Sequence, residues 1–212
     1  MTPQRPAPLK LQPVAANDAP SLARTGGAGR HIRVWDPLVR VLHWSIAAGV
    51  IANLTVLREA EDWHIAVGYA VFAALAVRII WGFVGSRHAR FVDFVPHPRR
   101  LAAYVKLLLA HREPRYIGHN PAGSAMIVGL MALIAILGTS GWMMGLDRFW
   151  GVEWVETLHE VTATIITGAI VLHILAAVVE SIRHRENLPW SMVTGTKRPA
   201  SGTDVDHAPP AG

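Results

Sequence analysis

Four long apolar runs constrain the fold of this 212-residue chain more than any other feature. They cover residues 41–57, residues 63–85 with Arg78 as the one break, residues 121–146 and residues 158–182. A helix needs about 20 apolar residues to cross ~30 Å of hydrocarbon. Each run approaches or exceeds that length, and a soluble domain of this size has no use for four. The expected fold is all-α: an integral membrane four-helix bundle with spans at 38–57, 63–84, 121–145 and 158–182.

The ends are different. Residues 1–30 are rich in Pro, Ala and Gly and carry no hydrophobic region of signal-peptide type, so they read as a disordered tail. Residues 191–212 read the same way. Residues 31–190 form the membrane domain.

Charge gives the bundle a direction. Of twenty Lys and Arg residues, six precede Val41, seven lie between the second and third runs, and four follow the last run. The two short connections instead carry acids, with Glu59, Glu61 and Asp62 beside Arg58, and Asp147, Glu153 and Glu156 beside Arg148. The positive-inside rule then puts both termini and the long middle connection in the cytoplasm. Attraction to anionic lipid explains the basic stretches, and nucleic acid is not an expected partner. The patch Arg99-Arg100-Leu101-Ala102-Ala103-Tyr104-Val105-Lys106-Leu107-Leu108-Leu109 predicts a short amphipathic helix on the cytoplasmic membrane surface. Asp36 followed by Pro37 reads as the cap and first turn of the first helix. The eight tryptophans fall near run ends, as in an interfacial belt.

Cysteine is absent, which excludes CxxCH haem attachment, iron–sulfur clusters, thiol catalysis and disulfides. A metal must be held by His or carboxylate. Of eleven histidines, His31, His88, His97, His111, His119, His184 and His207 fall in expected cytoplasmic or tail segments and read as solvated. The other four lie in the spans, where an ionisable side chain needs a partner and marks function. His159 and His173 are fourteen residues apart on one helix, hence on one face and about 21 Å apart along the axis. His43 lies about 10 Å into the first helix and His173 about 13 Å from the cytoplasmic end of the fourth. His64 and His159 both begin helices on the outer side. The depths pair His43 with His173 on the inner side and His64 with His159 on the outer side, the ligand set for two bis-histidine haems held between helices. Arg78, fourteen residues after His64, shares that face at the inner level. There a guanidinium can bind a haem propionate or snorkel to the interface. Two axial imidazoles leave iron no open position, so such sites pass single electrons. No catalytic residue is expected.

The residues Val34-Trp35-Asp36-Pro37-Leu38-Val39-Arg40-Val41-Leu42-His43-Trp44 resemble the first-helix entry of the prokaryotic cytochrome b561 family, which is similar to the cytochrome b subunits of nickel–iron hydrogenases. Trp63-His64-Ile65-Ala66-Val67-Gly68-Tyr69 with Arg78-Ile79-Ile80-Trp81-Gly82 resembles its second helix, and Arg115-Tyr116-Ile117-Gly118-His119-Asn120-Pro121 its third-helix entry. His159 and His173 match its fourth-helix ligands. The resemblance covers residues 33–190. It implies a dihaem b-type cytochrome of the bacterial inner membrane, with two haem b groups, exchanging electrons between the quinone pool, ubiquinone or menaquinone, and a redox partner. A cytochrome c or a hydrogenase-like subunit would fit that role, and a second copy of the chain is a further candidate partner. Two alternatives stand beside this reading. One is an oxidoreductase acting on quinone or a small molecule itself, with Glu160, Thr162 or Thr164 handling protons. The other is a transporter using histidines as transient metal or proton sites.

Overall fold

A computed structural model of the chain describes residues 31–206. The tail expected over residues 1–30, and residues 207–212, lie outside the described residues. The elements run β1 (Ile32–Arg33), α1 (Pro37–Leu54), α2 (Glu61–Val84), α3 (Phe91–Phe94), α4 (Pro98–Leu109), α5 (Pro121–Met144), a 3-10 turn at Asp147–Phe149, α6 (Glu153–His184), α7 (Leu188–Thr194) and β2 (Thr196–Lys197). Four helices, α1, α2, α5 and α6, are long and apolar enough to cross a membrane.

Local chemistry sets their ends. Asp36 caps α1, its Oδ1 accepting from the Val39 N–H at 2.8 Å, with Pro37 in the first turn. Its Oδ2 accepts from Trp81 Nε1 at 3.0 Å and from the Ser86 hydroxyl, so the cap also ties α1 to the far end of α2. Asn120 caps α5 through the Gly123 N–H at 2.6 Å. The fourth span begins at Glu153, five residues before the expected 158, because Glu153 and Glu156 favour the positive N-terminal end of a helix. With 32 residues, α6 is about 48 Å long and extends past the hydrocarbon.

Packing is sequential: α1 lies against α2, α2 against α5, and α5 against α6. Val50, Val71, Leu75, Ile134 and Ile166 form the core between them. Gly138 lets the Phe72 ring reach α5, since a Cβ there would sit 2.2 Å from it. The long helix α6 has its extensive contact with α5 and little with α1 or α2. Only 11–17% of each span's apolar window is buried inside the chain, so these helices turn most of their apolar surface outward, as lipid requires.

The expected disordered tail at 191–212 differs from the structure over its described part. Residues 191–206 complete α7, form β2 and run on to Val205. β2 pairs antiparallel with β1, Val205 bridges to Tyr116, and Val34 and Trp35 donate their N–H groups to the carbonyl of Gly195, which turns the chain at φ +82°. The cause is a buried charge cluster that composition does not reveal. Arg115 pairs with Glu186 at 2.7 Å and Asp204 at 2.6 Å, with side chains no more than 10% exposed. Burial would raise the Glu186 carboxyl, but hydrogen bonds from Arg115 and the Arg198 N–H outweigh it and hold the pKa below the usual range. Trp35 is likewise not part of an aromatic belt. It is buried with Val34 and Ile117, its Nε1 donating to Ser191 Oγ at 3.2 Å.

Lys197 lies in the same clasp, 4% exposed, donating to the Tyr116 and Ile117 carbonyls at 3.2 and 3.0 Å. Burial pushes its pKa down to about 8 from an ordinary 10.5. The unfolded chain therefore holds this proton more tightly, so the lysine's contribution to stability rises with pH across that window. Thermal melts in detergent should show the wild-type gaining on Lys197→Met by on the order of 3 kcal/mol between the two pKa values. Arg115→Ala strands two buried carboxylates and should lower stability by about 3–5 kcal/mol at neutral pH.

Candidate functional site

The four span histidines fall on the three helices α1, α2 and α6, and all are part-buried. His64 lies in the first turn of α2, where Asn53 at the end of α1 donates to its backbone carbonyl at 3.0 Å. His159 lies in the second turn of α6. The two ring centroids lie 6.3 Å apart, with the ring planes inclined at 62° to each other. Metal–imidazole bonds of about 2.0 Å each place the centroids of two rings sharing one ion about 6 Å apart. The observed pair therefore fits a shared metal.

Ser140 on α5 orients His159. Its hydroxyl donates to the Ile136 carbonyl at 2.8 Å, which uses its one proton. The 3.0 Å contact between Ser140 Oγ and His159 Nδ1 is then a bond from Nδ1–H to the serine oxygen. That tautomer leaves Nε2 with a free lone pair, the state a metal ligand needs. Gly141 lies beside the same ring, where an added Cβ would make ordinary contact at 3.4 Å. Ser140 is not visible as a partner from the sequence, because the contact spans nineteen positions and two helices.

His43 lies on α1 and His173 on α6. The Nδ1 atoms of both His43 and His64 are buried with no hydrogen-bond partner. Bare polar atoms of this kind fit a site whose imidazoles serve a bound group. The structure brings the rings of His64 and His159 together.

Arg78 is 8% exposed near the far end of α2. Its Nη2 donates to the Ala89 carbonyl at 3.2 Å, and its guanidinium lies 5.6 Å from the Phe91 ring centroid and 5.9 Å from that of Phe94. Nη1 is buried without a partner. The side chain is therefore enclosed against the connection that follows α2.

His119, grouped with the solvated histidines in the sequence reading, is enclosed instead. Its ring lies 4.5 Å from Trp35 and 5.1 Å from Phe94, and its Nδ1 is buried and unbonded. Burial, reinforced by the charges of Lys197 and Arg78, pushes its pKa down to about 3, so it is neutral at physiological pH. Of the candidate proton groups, Glu160 is exposed, Thr164 donates to the Glu160 backbone carbonyl at 3.1 Å, and Thr162 is buried.

Residues 34–195 match the sequence profile of the prokaryotic cytochrome b561 family. The chain is 28% identical over 218 residues to the "Probable Ni/Fe-hydrogenase B-type cytochrome subunit" of Bradyrhizobium diazoefficiens, with 79% of this chain and 86% of that protein covered. It is 30% identical over 216 residues to the protein of the same description from Azotobacter vinelandii, covering 77% and 87%. For that of Rhodobacter capsulatus the identity is 26% over 210 residues, covering 77% and 80%. No solved structure matches the chain. With four membrane-capable helices among its described residues, the chain belongs to the prokaryotic cytochrome b561 family of haem-containing, electron-carrying membrane proteins.

Proposed function

We propose that this protein is a transmembrane dihaem cytochrome b that carries single electrons between the quinone pool and a redox partner. The observation that carries the reading is the 6.3 Å separation of the His64 and His159 rings, with Ser140 presetting the tautomer of one. His64 and His159 hold the outer haem, and His43 and His173 the inner one. When bound, a bis-histidine haem supplies a one-electron couple with no open iron position. Its relay direction follows from α6, which offers ligands at two depths about 21 Å apart.

The chain's own residues do the remaining work. Ser140 fixes the plane and proton of His159. Asn53 fixes the backbone beneath His64. Arg78, enclosed by Phe91 and Phe94, offers Nη1 to an inner-haem propionate. The protein is a multi-pass protein of the bacterial inner membrane. The basic end bearing α3, α4 and α7, with both termini, faces the cytoplasm, as the distribution of Lys and Arg supports. The relatives are described as hydrogenase cytochrome subunits, which supports a hydrogenase-like partner. That partner docks at the opposite end, which carries the connections 55–60 and 145–152.

Pyridine haemochrome analysis of the purified chain should give two haem b per polypeptide, and none would overturn the reading. His43→Ala and His173→Ala should each remove one spectral component, and His64→Ala and His159→Ala the other. A quinol analogue should reduce both components in the wild-type. Ser140→Ala leaves all four histidines but frees the His159 ring, and should weaken outer-haem retention about 10–100-fold. Equal loss of both components would argue against the assigned pairs.

A further inference from the structure

At the α7 end of α6, three metal-ligating side chains converge that electron transfer does not use. Glu180 and His184 are four residues apart on α6 and so stand one turn apart on one face. Glu113 comes from the connection between α4 and α5. One donor atom from each lies within 4.8 Å of the other two. His184 Nε2 is 3.0 Å from Glu180 Oε2, while the other Glu180 oxygen accepts from the Tyr104 hydroxyl at 3.2 Å.

The second observation is Glu113 itself. Its side chain is 2% exposed. One carboxylate oxygen takes Arg183 at 2.5 Å, and the other, Oε2, is buried with no hydrogen-bond partner. A bare carboxylate oxygen in such a place is costly unless a cation or donor meets it. Arg183 pairs with only one of the two carboxylates. A cavity of about 40 Å³ adjoins Glu180 and His184 and is lined also by Gly118, Asn120, Glu186, Arg115 and Lys197. It has room for the water that would complete a coordination shell.

We propose that Glu113, Glu180 and His184 form a site for a divalent transition-metal ion of the Zn²⁺ class, clamping the α4–α5 connection to the end of α6. One imidazole with two carboxylates suits Zn²⁺, whereas Mg²⁺ and Ca²⁺ favour all-oxygen shells. The site is independent of the haem histidines, so haem content and Zn²⁺ content can be read separately.

The test uses the full chain in detergent, stripped with EDTA and titrated with Zn²⁺ against a chromophoric chelator. One Zn²⁺ per chain, counted beside iron by mass spectrometry, is expected. Glu113→Gln and His184→Gln should each weaken binding at least about tenfold with the visible spectrum unchanged. Zn²⁺ should raise the melting temperature of the wild-type and not of either variant. His31→Ala, at an exposed histidine, should bind like the wild-type. Zn²⁺ retained equally by both site variants, or no Zn²⁺ retained by the wild-type, overturns the site.

Discussion

An imidazole placed in hydrocarbon has nothing to bond to except the rest of its own chain or a group the chain holds. Everything along the long axis of this protein follows from that constraint. The longest helix carries two such rings fourteen residues apart, and α1 and α2 each carry one. α6 closes on α1 and α2 less than α1 closes on α2 or α5 on α6. The remaining helix contacts are ordinary apolar packing.

The basic end obeys a different rule. Beyond the hydrocarbon, charges can be buried if each has a partner, and this end is built from such pairs. Arg115 joins Glu186 and Asp204, and Arg183 joins Glu113. These links hold the connections and the C-terminal strap over the mouth of the bundle, beside the buried ring of His119. Arg115 and Arg183 therefore shape the face that this end presents.

Local pattern made much of this legible. The four spans, the Asp36–Pro37 start and the amphipathic α4 need only neighbouring residues to be recognised. Hidden features share one property: they depend on contacts distant in sequence. Trp35 reads as an interfacial anchor until Ile117 and Ser191 are known to enclose it. The strap reads as disordered because its order comes from Arg115, some eighty residues earlier. Ser140 reads as an ordinary small residue on a packing helix. Its value lies in a proton already committed to Ile136.

The pairing of β1 with β2 has a bearing on assembly. The strand partner of Ile32 and Arg33 is Lys197 and Thr196. The clasp therefore cannot close until all four spans have been synthesised. During that interval the basic end lacks its strap, and the rings of Trp35 and His119 lack part of their cover. Order of synthesis gives the bundle a period in which that end is open, and residues 191–206, made after the last span, shut it.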